Sequence, residues 1–181
     1  MRAAIIAMVI LLLPAALLAV PHMGVYFTYN PTQMHYNPTA MEEFIGYVYS
    51  QGSGCYLNAA EFALGVPPGV VLIGWTVPAG ALTLGSLPAG LSVAFFPPMD
   101  GYTQPNLIAT VRLLAVDWCW TYGGTMHDAP MKVLPHPDTG LIQGSCFPEN
   151  YLFPYVGLTS IICPDVYGVE ETNWGAIKSL F

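Results

Sequence analysis

Cys55-Tyr-Leu-Asn-Ala-Ala-Glu-Phe-Ala-Leu64 is bounded by Gln51-Gly-Ser-Gly54 before it and Val66-Pro-Pro-Gly69 after it. The run alternates in part. An extended reading puts Tyr56 and Asn58 on one side and Leu57 and Ala59 on the other, because successive side chains of a strand point to opposite faces. Both flanks carry turn chemistry: glycine supplies a positive φ, and proline fixes φ ahead of a permissive glycine. The segment therefore reads as a strand between tight connections.

The same punctuation extends over the chain, which has 18 Gly and 17 Pro among 181 residues. Leu87-Pro-Ala-Gly90 is another such turn, and Tyr29-Asn-Pro-Thr32 and its echo Tyr36-Asn-Pro-Thr39 read as paired turns. Between the turns lie short segments rich in Val, Ile, Tyr, Phe and Thr, the residues that suit a half-buried pleated surface. They fall at Met23–Tyr29, Glu43–Ser50, Cys55–Leu64, Val70–Thr76, Leu91–Phe96, Leu107–Trp118, Met131–Leu134, Leu141–Gln143 and Tyr155–Cys163. About nine strands at this spacing predict an all-β, immunoglobulin-like sandwich. The one helical signal is terminal: Trp174, Ile177 and Phe181 recur at helical spacing, with acids before and Lys178 near the end. A short helical turn is expected there.

Composition narrows the class. Hydrophobic residues make up 54% of the chain and charged residues 8%, with a formal net charge of -7. A disordered chain needs many charges and little hydrophobicity, and a nucleic-acid binder needs a basic face, so neither fits. Residues 1–19 combine Arg2, an apolar run interrupted by Pro14 and a small residue at Ala19, the pattern of a cleaved secretory signal peptide. Its removal leaves Arg112, Lys132 and Lys178 against all eleven acids. No later apolar run is long enough for a membrane span. The expected organisation is a signal peptide over 1–19, a sandwich domain over 20–168 and a tail over 169–181, in a protein that is secreted, at the cell surface or periplasmic.

Export makes disulfides the natural state of Cys55, Cys119, Cys146 and Cys163, none of which forms a C-x-x-C pair. Three connectivities are open. The expected one joins Cys119 to Cys146 across a loop-rich excursion, and Cys55 to Cys163 between an early and a late strand.

The stretch from Gly46-Tyr-Val-Tyr-Ser-Gln51 through Cys55–Leu64 to Pro67-Pro-Gly-Val-Val-Leu-Ile-Gly74 resembles the early strands of cohesin-like and carbohydrate-module-like sandwiches. There, a strand ending in a turn is followed by one carrying a small-Glu-Phe-x-Leu pattern. Met23-Gly-Val-Tyr-Phe27 and Trp174-Gly-Ala-Ile-Lys-Ser-Leu-Phe181 look like the two ends of a group of exported bacterial β-sandwich proteins. The resemblance implies a fold and an exported habit, and no activity. Cohesins bind dockerins through a sandwich face, and no dockerin-reading signature maps onto this sequence.

Candidate sites follow from residue chemistry. Aromatic clusters occur at Tyr47/Tyr49, Phe95/Phe96, Trp118/Trp120 and Tyr151/Phe153/Tyr155. Exposed rings in such clusters stack on sugars, whereas buried ones fill a core; Trp118, Trp120, Tyr122, Tyr151 and Tyr155 are the binding candidates. His127, Asp128, His136 and Asp138 are weak metal candidates, since their spacing matches no defined motif and prolines place them in a loop. No cofactor is expected. G-x-S-x-G, H-E-x-x-H and phosphate-loop signatures are absent, and adjacent Glu42 and Glu43 point apart if extended. Glu61 and Glu149 are distant carboxylates that folding alone would bring together.

The sequence thus predicts a non-enzymatic structural or interaction module for adhesion or assembly, with other extracellular proteins or further copies of itself as partners. A carbohydrate-binding module comes second and a secreted hydrolase third.

Overall fold

The computed structural model describes residues 20–117, 119 and 128–163. Thirteen strands run in chain order: β1 (His22–Tyr26), β2 (His35–Tyr36), β3 (Glu43–Gln51), β4 (Tyr56–Gly65), β5 (Val70–Thr76), β6 (Leu82–Ser86), β7 (Gly90–Asp100), β8 (Asn106–Ala115), β9 (Ala129–Leu134), β10 (Gln143–Phe147), β11 (Tyr151–Pro154), β12 (Val156–Gly157) and β13 (Thr159–Ile162). No helix occurs among the described residues, and none there is long and apolar enough to cross a membrane. The expected signal segment and the helical turn around Trp174, Ile177 and Phe181 lie outside them.

Two sheets face each other. The first has the order β12-β1-β3-β8-β5, antiparallel except where β12 joins β1. The second runs β11-β10-β4-β9-β13-β2, and on the other edge of β4 it continues through β7 to β6. Alternation decides which residues meet between the layers. From the first sheet come Met23, Val25, Phe44, Val48, Ile108, Val111 and Leu113, and from the second Leu57, Ala60, Phe62, Leu91, Val93 and Met131, all buried. Each fully buried aliphatic or aromatic side chain contributes about 1.5–3 kcal/mol relative to exposure. Gly46 is small because β3 crosses the core closely there: a Cβ would stand 2.9 Å from both Val111 Cγ2 and Val25 Cγ1. In the turn before β4, Gly52 and Gly54 adopt φ of 72° and 63°, as the hairpin chemistry requires.

Three expectations are corrected. Cys55 pairs with Cys146 and Cys119 with Cys163, with Cα separations of 5.7 and 5.0 Å. Strand order is the reason. β10 lies beside β4 with Cys146 opposite Leu57, which puts Cys55 at the end of β4 within reach. Cys163 follows β13, which pairs with β9. Second, four more strands form than the nine read from sequence. Third, a bulge between Leu57 and Ala59 shifts the pleat of β4, so that Ala59 leaves the side of Leu57 while Ala60, Phe62 and Leu64 take the core positions.

Candidate functional site

Directly paired residues of antiparallel strands share a face. Two rows therefore cross the outer side of β6, β7, β4 and β10: Leu84–Ser92–Glu61–Gln143, and Leu82–Ala94–Ala59–Ser145. The opposite side of the same strands carries Val93 and Ala60 into the core. At the β6 end the outer face is open, with Leu84 77% and Leu82 73% exposed, and Phe96, next in the alternation of β7, 84% exposed. Its neighbour Phe95 is buried, as consecutive strand residues must diverge.

Glu61 is the one charged residue in these rows, and both its oxygens are engaged. Ser92 donates its hydroxyl to Oε1 at 3.2 Å, and the Gln143 amide donates to Oε2 at 2.6 Å. These donors hold the carboxylate without neutralising it, leaving a fixed negative charge on a neutral, partly apolar face. A shallow depression of about 300 Å³ lies between Leu82, Leu84, Ala94 and Glu61. A second, of about 240 Å³, continues past Leu84 and Ser92 to His136 and Pro137. β6 pairs only with β7 among the described strands, and all five of its residues are exposed.

The residues singled out from sequence are dispersed. Tyr155 is buried, with its ring 4.9 Å from Phe153, which makes it a core side chain and no platform for a ligand. Tyr151 is half exposed at the opposite edge of the sheet, tilted on Phe153 at 6.2 Å. His136 is buried, and its Nδ1 accepts the Asp138 backbone N–H at 3.3 Å; Asp138 and Asp128 are exposed. No group of three His, Cys, Asp or Glu side chains able to hold a metal occurs among the described residues. Trp118, Trp120, Tyr122 and His127 lie outside them. Glu61 is taken up by Ser92 and Gln143, whereas Glu149 is exposed in the β10–β11 turn.

Sequence reasoning passed over Leu82, Leu84 and the register of Glu61. The signal that could have found the first two is Leu82-Thr-Leu84, an alternating pair in a stretch with no charge.

No protein-family model matches the chain, and no curated protein is similar to it in sequence. The likeness lies in the fold. The third ScaB cohesin of R. flavefaciens, solved in complex with a group 1 dockerin, matches over 81% of this chain and 96% of that one, with a TM-score of 0.52 at 10% identity. A chain of a type I cohesin–dockerin complex from Clostridium thermocellum matches over 79% and 99%, with a TM-score of 0.50 at 7% identity. The architecture is a cohesin-like β-sandwich.

Proposed function

We propose that this chain is an exported, non-enzymatic module that binds another protein through the outer face of β6, β7 and β4. The observation that carries the reading is Leu82, Leu84 and Phe96 standing open beside the positioned carboxylate of Glu61. Large exposed apolar side chains grouped on one face mark interaction surfaces, and a few central anchors supply most of the binding energy. The partner then presents apolar side chains to the leucines and Phe96, and a lysine or arginine to Glu61. Cohesins of like fold solved in complex with dockerins favour a foreign protein over a second copy as the occupant. The pattern of residues 1–19 and two disulfides support export. A sandwich domain over 20–168 with a separate tail over 169–181 belongs to the same reading.

The test is capture from the extracellular fraction by the immobilised full chain, beside a Leu82→Ser/Leu84→Ser/Phe96→Ser variant and an Arg112→Ala control. A protein retained by the wild type and the control and lost by the triple variant supports the reading. Equal retention by all three, no retained protein, or dimerisation through the same face contradicts it.

A further inference from the structure

A third concavity lies at the end of the sandwich where β7 crosses to β8, away from the β6 edge. It encloses about 440 Å³, between the loop after β1 and the segment that leads into β8. That volume falls within the range of small-ligand clefts, roughly 300–1,000 Å³. Its walls include Tyr29, Tyr49, Asn30, Gln104, Asn106 and Pro105, and none of the described residues that line it is charged.

Both walls are fixed before any ligand arrives. Tyr49 donates its hydroxyl to the Tyr29 carbonyl, and Thr28 Oγ1 donates to the Asn30 carbonyl at 2.6 Å. The Tyr29 ring, 70% exposed, stands edge to face with Tyr47 at 5.6 Å. On the other wall Asp100 accepts from the Tyr102 N–H at 2.9 Å and from Thr103 Oγ1 at 2.6 Å, tying the turn that precedes Gln104. These donors hold the Asp100 carboxyl below its usual range and keep both its oxygens on the turn, outside the described lining of the pocket.

We infer that this pocket binds a neutral saccharide. An exposed aromatic ring stacks on the C–H face of a sugar. The side-chain amides of Asn30 and Gln104, both exposed, each offer a donor and an acceptor, matching hydroxyl groups that do both. Among the described lining residues a charged ligand would find no counter-charge. The mouth is open to solvent, so one unit of a longer chain fits as well as a free end. This site shares no residue with the β6–β7–β4 face, and its test stands apart from that of the protein-binding reading.

Titration of the full chain with neutral tetrasaccharides of β-1,4-linked glucose, xylose and mannose, followed by calorimetry, tests it, with polygalacturonate as the charged comparison. At least one neutral saccharide binds at millimolar or lower concentration, Tyr29→Ala weakens it at least about ten-fold, and the Leu82→Ser/Leu84→Ser/Phe96→Ser variant binds as the wild type does. Tyr29 is on the surface, so its loss leaves the fold intact. Failure of all three saccharides to bind at millimolar concentration, binding unchanged by Tyr29→Ala, or preference for polygalacturonate overturns the inference.

Discussion

Gln143 and Glu61 face one another across the pairing of β10 with β4, and the amide of the first donates to the carboxylate of the second at 2.6 Å. The bond aims a negative charge along a row that ends at Leu84. Glu61→Gln keeps size and shape and removes the charge. It also turns one acceptor into an amide N–H, which the Ser92 hydroxyl can turn to accept, so it should cost no more than about 1–2 kcal/mol of stability while weakening partner binding about ten-fold and flattening its salt dependence. Titration at low and high salt checks both effects.

The disulfides provide a second prediction. Peptide mapping under non-reducing conditions should recover Cys55 with Cys146 and Cys119 with Cys163. These links span 91 and 44 residues, and loop-closure entropy assigns each about 4 kcal/mol. Replacing either pair by alanine should lower stability by that order, measured by urea denaturation.

Tyr155 makes stability sensitive to alkali. Its hydroxyl is buried without a hydrogen-bond partner among the described residues, as are Ser50 Oγ and Asn106 Nδ2. Burial pushes the phenol up to about 12 from 10.0, and the Ser50 and Ser53 hydroxyls, close by without closing a hydrogen bond, offset part of the rise. Between those two values the unfolded chain holds fewer protons than the native one, so stability is full below pH 10 and falls as pH rises toward 12. The loss amounts to about 2–3 kcal/mol. Burial shifts Tyr26 and Tyr49 in the same direction, so Tyr155→Phe should shrink the alkaline loss without abolishing it. At neutral pH the same variant, which removes an unpaired buried hydroxyl, should be as stable as the wild type or slightly more so.

Gly144 has no room for a side chain. A Cβ there would lie 2.7 Å from Phe153 Cζ, 2.8 Å from Tyr155 Cε2 and 3.0 Å from Leu57 Cδ1, whereas at Gly74 it would meet nothing within 4 Å. Gly144→Ala should cost about 1–3 kcal/mol by overpacking, and Gly74→Ala should be neutral or better. Thermal denaturation of the two variants makes the comparison.

Sequence served well where a strand faces the core. β3, β4, β5 and β8 were read nearly to their ends because turn residues bracket them and apolar residues return on one face. β6 escaped because it is an edge strand with both faces open, so Leu82, Thr83 and Leu84 match no buried pattern. β10 was misplaced toward Leu141 because its inward positions are Gly144 and Cys146, which carry little apolar signal. The disulfide pairing follows strand order, which loop lengths do not encode. For the same reason Glu61 could be noticed as a carboxylate but not placed: its row exists only once β6, β7, β4 and β10 are in register.

The measurement that bears most directly on the central claim is calorimetric titration of the captured partner into the wild-type chain and into the Leu82→Ser/Leu84→Ser/Phe96→Ser variant. Burying these side chains is worth about 1.5–3 kcal/mol each, so the triple variant should remain folded and lose at least about a hundred-fold in affinity. An unchanged dissociation constant for a folded variant would contradict the account, because the partner would then bind elsewhere.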